Sequence, residues 1–142
     1  MSGPSVEITG GCRCGAVRYR ATAEPLMTRV CWCRDCQYLG AGSGTVNVVF
    51  PKASVAISGA VSDYTSRADS GTLMHRRFCP ACGTPLFSEA ESRPHLIIAR
   101  AGTLDDPNRI APMATIWTAS APTWACFDVT LPQFVAQPPP AP

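Results

Sequence analysis

Three cysteine clusters constrain this chain more than any other feature: "GCRCG" at 11–15, "CWCRDC" at 31–36 and "FCPACG" at 78–83. Seven of the eight cysteines fall into them, as Cys12/Cys14, Cys31/Cys33/Cys36 and Cys79/Cys82. The eighth, Cys126 in "TWACFD", reads as a small core side chain. In C-x-x-C a tight turn brings both sulfurs to one side of a loop, where backbone N–H groups can point at the thiolates. Gly83 directly after Cys82 suits such a turn, because glycine tolerates positive φ. In C-x-C, residues two apart on an extended chain point the same way, so both sulfurs can again meet one ion. The two pairs together supply four thiolates, enough for a closed structural zinc site with zinc–sulfur bonds of about 2.3 Å. That site, on Cys12, Cys14, Cys79 and Cys82, would close a loop of more than 60 residues.

The remaining three cysteines cannot complete a second four-thiolate site. The only histidines that could be borrowed are His75 and His95. Both sit in strand-like stretches, where a solvated or internally satisfied imidazole is the commoner outcome. Asp35 lies inside the cluster and is too constrained by its neighbours to reach the same ion. The sharper reading is an open site on Cys31, Cys33 and Cys36, because an open position distinguishes catalytic from structural zinc. Three thiolates on a divalent ion carry one net negative charge, which makes the metal poor at acidifying water. Such a site is better matched to a fourth sulfur, whose pKa it would lower. A rubredoxin-like iron competes for the closed site. The C-x-C-x-x-C run matches neither common ferredoxin spacing.

The rest of the sequence describes the domain that carries these clusters. A chain of 142 residues with 46% hydrophobic and 15% charged content suits one globular domain, expected over 1–136. The "QPPPAP" tail at 137–142 reads as extended and disordered. A net charge of +2 marks no basic face for nucleic acid. No stretch resembles a secretory leader or a bilayer span, so no membrane partner is expected and a cytoplasmic location is the default. Clustered thiols in a reducing compartment point to metal or catalysis before disulfides. Period-two alternation marks strands at 17–21, 45–50, 54–57, 62–65, 73–78 and 85–88, with further strands at 95–101 and 113–118. Residues 35–39 could form one helical turn. Fourteen prolines and eleven glycines leave little room for more helix, so the fold class is mainly β.

Five segments, "GGCRCGAVRY" (10–19), "CWCRDC" (31–36), "RFCPACGTPLF" (77–87), "AGTLDDP" (101–107) and "IWTASAPTW" (116–124), occur in an order that resembles the glutathione-dependent formaldehyde-activating enzyme family, which includes the centromere-protein-V group. The likeness covers roughly residues 7–128. It implies a β-tent of packed antiparallel sheets with two zinc ions, one structural on Cys12, Cys14, Cys79 and Cys82 and one catalytic on Cys31, Cys33 and Cys36. It also implies a carbon–sulfur lyase that condenses formaldehyde with glutathione to S-hydroxymethylglutathione. On that reading Arg13, Arg29, Arg34, Arg76, Arg77 and Arg100 are candidates for the two carboxylates of glutathione. The β-rich domain itself is compatible with a monomer or an edge-strand homodimer. Trp32, which cannot ligate, is a packing residue or a pocket wall. Asp105 and Asp106 are turn formers before Pro107. The competing class is a non-catalytic, zinc-stabilised binding module whose second cluster is closed by water or a partner.

Overall fold

The computed structural model describes residues 5–68 and 71–138. The described residues form ten strands and one short α-helix: β1 (Ile8–Gly11), β2 (Arg18–Ala21), β3 (Met27–Cys31), α1 (Arg34–Leu39), β4 (Thr45–Pro51), β5 (Val55–Ser58), β6 (Ser62–Arg67), β7 (Leu73–Phe78), β8 (Pro85–Ala90), β9 (Leu96–Arg100) and β10 (Ala114–Ile116). They build two sheets. The smaller has the order β1-β2-β5 and the larger β10-β3-β4-β9-β8-β7-β6. This is the mainly β domain expected from the alternation, with one departure from an all-antiparallel pattern: β10 runs parallel to β3, pairing Ala114 with Arg29 and Ile116 with Cys31. A parallel neighbour needs a long crossover, and here everything between β3 and β10 supplies it. Most of the tail expected at 137–142 lies outside the described residues.

The two sheets face each other across one apolar core. Ile8, Tyr19 and Ala21 come from the small sheet, and Val48, Phe50, Phe87, Ile97 and Ala99 from the large one. Tyr19 meets Phe87 edge-on, with ring centroids 5.1 Å apart, and its hydroxyl shares a 2.7 Å hydrogen bond with Thr103 Oγ1. That bond satisfies the one polar atom the ring carries into the core. Gly10 stands where it does because a Cβ there would lie 2.5 Å from the Tyr19 ring and 2.4 Å from the Thr103 carbonyl.

Side chains alternate across a strand, so the other face of the large sheet carries a different set. Strand register places Arg29, Asn47 and Arg100 opposite one another on β3, β4 and β9. Ser88, Arg76 and Tyr64 follow on β8, β7 and β6. Cys31, two residues beyond Arg29, shares this polar face.

"GTLDDP" does more than turn. Asp106 caps the short 3₁₀ turn Pro107–Arg109 by accepting from Asn108 N at 3.0 Å. Asp105 accepts from both terminal nitrogens of Arg18, with Nη1 at 2.9 Å, and from Thr9 Oγ1 at 2.7 Å. This pins the loop after β9 to β1 and β2. No helix among the described residues is long and apolar enough to cross a membrane.

Candidate metal centres

The loops after β1 and β7 bring Cys12, Cys14, Cys79 and Cys82 together, with all four sulfurs within 4.8 Å of one another. Cys12 Sγ lies 3.6 Å from Cys14 Sγ, and Cys14 Sγ lies 3.8 Å from Cys79 Sγ. Four sulfurs about 2.3 Å from a central ion are about 3.8 Å apart at the corners of a tetrahedron, so the spacing suits a tetrahedral ion. It is well beyond the roughly 2.05 Å of a disulfide, and all eight cysteines are free. Cys12 and Cys14 converge differently from the expected extended pair, because residues 12–15 form a turn that Gly15 closes at φ 83°. Gly83 plays the same part after Cys82, at φ 77°. Backbone N–H groups aim at the sulfurs: Val17 N at Cys12 (3.2 Å), and Ala81 N and Cys82 N at Cys79 (both 3.4 Å). Thr84 joins the two turns. Its hydroxyl lies 3.1 Å from Cys82 Sγ and accepts from Arg13 N at 3.1 Å.

The Val17 amide lowers the Cys12 pKa, and the Thr84 hydroxyl and N–H pull Cys82 down to about 5. Cys14 rises to about 11 even though the Ala16 N–H works against it, because it shares protons with Cys12 and Cys82. Four thiols this close ionise together only around a cation.

The second centre is built where β3 runs into α1. Cys31 ends β3, Cys33 is the N-cap of α1, and Cys36 sits in its first turns. Their sulfurs also lie within 4.8 Å of one another. Cys36 N donates to Cys33 Sγ at 3.4 Å, so the cap that starts the helix also holds a sulfur in place. Hydrogen bonds from Cys31 and Cys36 hold Cys33 down at about 2, and the same proton sharing with Cys33 pushes Cys31 far up. Cys36 is raised as well: its bond with Cys31 favours the thiolate, but the bond with Cys33 and burial outweigh it. One thiol of the three ionises readily in this arrangement, and a divalent cation would let the others follow.

The surroundings of this centre come from distant strands. Asn47 on β4 donates from Nδ2 to Cys36 Sγ at 3.7 Å and accepts from Arg100 on β9. Arg100 also donates to Ser88. Arg76 donates to Asp35 Oδ2 at 3.2 Å, between the ligand cysteines in sequence, and to Ser66 Oγ at 2.6 Å. Gln37 Nε2 donates to the Trp32 carbonyl at 2.8 Å and the Ser120 carbonyl at 3.0 Å, tying α1 to the chain beyond β10. Trp117, in the left-handed region at φ 59°, packs against the cluster. Trp32 is a packing residue: it is 5% exposed and meets Phe127 edge-on at 5.8 Å. A Cβ on Gly44 would lie 2.8 Å from its ring.

Other candidates fall elsewhere. His75 is held by Asp63 (2.7 Å) and Glu91 (3.4 Å), and His95 is exposed, so neither joins a cluster. Asp35 is turned outward onto Arg76. Cys126 is exposed, not part of the core, because residues 121–129 run over the surface without strand pairing and leave Trp124 exposed too. Of the six candidate arginines, Arg29, Arg76 and Arg100 lie on the polar face beside the three cysteines. Arg77 engages Glu89 at 2.7 Å, and Arg34 lies over the Tyr38 ring at 5.2 Å. Asn47 and Ser88 had no motif to announce them, and Trp117 stood in the "IWTASAPTW" segment with no role read for it; the register of β4 and β8 and the turn after β10 bring them in.

Residues 7–120 match the family described as glutathione-dependent formaldehyde-activating enzyme. The chain belongs to this family. A Halomonas elongata protein, provisionally named a glutathione-dependent formaldehyde-activating enzyme, is 29% identical over 103 residues. The match spans 69% of this chain and 66% of that relative, just under two thirds of its length. A Rhodobacter sphaeroides protein of known crystal structure shares the fold, with a TM-score of 0.56 and 22% identity over 73% of this chain and 91% of that one.

Proposed function

We propose that this family member is a zinc-dependent carbon–sulfur lyase acting on a thiol–aldehyde adduct, with glutathione and formaldehyde as the pair that the family description suggests. The observation that carries the reading is the inequality of the two centres. Four converged sulfurs complete a tetrahedron, whereas Cys31, Cys33 and Cys36 leave one corner open. On this reading the four-cysteine centre is structural and the three-cysteine centre catalytic, with one zinc each. The activity needs a thiol held as thiolate beside an aldehyde. Zinc in the three-cysteine site would supply a position for that sulfur and lower its pKa.

The chain's own residues do the rest. The Cys33 cap and the Asn47 amide fix two of the sulfurs, so the open corner keeps one direction. Arg100 and Arg76 add positive charge beside the thiolates, which favours the ionised form of an incoming thiol. In the forward direction a carbon–sulfur bond forms, the carbonyl electron pair moves to oxygen, and that oxygen takes up a proton. The reverse direction releases thiol and aldehyde. Eight free thiols agree with a reducing cytoplasm.

Exchange NMR of glutathione with formaldehyde tests the namesake reaction. Wild-type protein is expected to accelerate exchange, and Cys33→Ser is not. Equal rates with wild type, Cys33→Ser and no protein would remove formaldehyde as substrate. One metal per chain, with a metal absorption edge that glutathione does not alter, would return the chain to a non-catalytic binding module.

A further inference from the structure

Two buried side-chain nitrogens among the described residues have no hydrogen-bond partner, and both belong to arginines of the polar face: Arg29 Nη1 and Arg100 Nε. Arg29 is 6% exposed and Arg100 7%. A buried guanidinium is normally matched by an anion and by a full set of acceptors. Among the described residues neither has a carboxylate partner. The hydrogen bonds of Arg100 go to the neutral side chains Asn47 and Ser88. Burial accordingly lowers the pKa of both arginines, and the cysteine thiolates pull the other way.

Arg76, Arg77 and Arg100 wall a cavity of about 190 Å³ that is otherwise lined largely by apolar groups, including Leu39 at the end of α1, Phe78 and Phe87; Arg77 is already paired with Glu89, which leaves Arg76 and Arg100 for a ligand. The cavity is too small for a whole tripeptide but large enough for a short acidic arm. None of the three cysteines lines it, but two hydrogen-bonded links lead from its arginines to their centre. Arg100 reaches Cys36 through Asn47, and Arg76 reaches Asp35, the residue before Cys36.

We propose that the cavity walled by Arg76 and Arg100 is an anion subsite that takes a carboxylate of the thiol substrate while its sulfur fills the open corner at Cys31, Cys33 and Cys36. The substrate class is then a carboxylate-bearing thiol; a neutral thiol of the same size is discriminated against. Guanidinium suits the role because it offers paired donors to a planar carboxylate. The apolar lining strengthens the contact by keeping water out. This inference rests on the thiol-binding reading above and adds the group that selects the thiol.

The test uses the full chain with cobalt(II) in place of the native ion, so that sulfur binding is read from the sulfur-to-cobalt charge-transfer band without any turnover. Two probes are compared at equal thiolate concentration: 3-mercaptopropionate and 3-mercaptopropanamide, the same skeleton with and without the carboxylate. The acid is expected to bind roughly tenfold or more tighter, the size of a charge-assisted hydrogen bond in a dry site. Propionate, which has no thiol, should weaken binding of the acid and leave the amide unaffected. Arg76→Gln should bring the two thiols to within about twofold, and Arg76→Lys should keep part of the preference. Equal affinity of the two thiols in the wild type would overturn the subsite and leave thiol binding standing. A band that neither thiol moves would overturn the thiol-binding reading itself. Because the wild-type comparison and the propionate competition need no variant, a poorly folded Arg76→Gln would not blunt the test.

Discussion

The two cysteine clusters use similar chain geometry in different surroundings. The four-cysteine cluster is made by two turns at the surface, with Cys14 and Cys82 exposed, and its supporting donors come from its own loops and from Thr84. The three-cysteine cluster is more enclosed, with Cys31 and Cys36 buried, and its support comes from β4, β7 and β9. A closed site needs only its ligands to agree with one another. An open site must also hold its missing corner toward a chosen visitor, and that requires side chains from elsewhere in the fold.

The comparison breaks first at the closed cluster. Cys79→Ser should destabilise the whole domain, because the cluster links positions 65 residues apart in sequence and a crosslink across such a loop contributes on the order of 4 kcal/mol. The melting temperature should fall by on the order of 10 °C, and a chelator should reproduce the loss in the wild type. Cys33→Ser should act at the other centre. Calorimetry should show a far smaller shift, while metal analysis shows one ion per chain lost. A melting point lowered as much as in Cys79→Ser would show that both centres are structural.

Smaller effects sharpen the contrast. Asn47→Ala removes the donor to Cys36 and an acceptor of Arg100, and competition with a colorimetric chelator should show about tenfold weaker metal binding at the three-cysteine centre only. Equal weakening at both centres would mean that Asn47 acts on the fold and not on the site. The smallest change is expected at Asp105→Asn. Arg18 holds the Asp105 carboxyl down at about 2, so the pair supports the fold above the ordinary carboxylate range and ceases to do so as pH falls toward 2. Both side chains are nearly half exposed, so the difference in melting temperature should be slight at pH 6 and should vanish in acid.

Much of the fold was legible as alternation. Strands β2 and β4 to β8 stand at the period-two stretches, β9 and β10 at the two further stretches 95–101 and 113–118, and the helix covers the turn expected at 35–39. β1 and β3 were not legible. "ITGG" in β1 carries two glycines, which weakens any strand signal, and Gly10 is there for the close approach of Tyr19. "MTRVC" in β3 does not alternate because the strand is covered on both faces, with Thr28, Arg29 and Cys31 all buried. The parallel β10 was hidden for a related reason, since nothing local in three residues tells which neighbour, or which direction, they will pair with. Cys126 was misread because apolar neighbours in sequence do not guarantee an apolar environment once the segment runs along the surface.

The sequence by itself determined the ligand count, four thiols in two pairs and three in one run, because C-x-C and C-x-x-C turns converge sulfurs through local backbone geometry alone. It therefore determined that one cluster offers four thiols to an ion and the other only three. Only the tertiary structure decided what surrounds the smaller one. Of six arginines with nothing in the sequence to rank them, sheet register placed Arg29, Arg76 and Arg100 on the face of the three cysteines and turned Arg77 onto Glu89. The physical reason is that ligand turns are local, whereas a charged pocket is assembled from strands whose partners lie far apart along the chain.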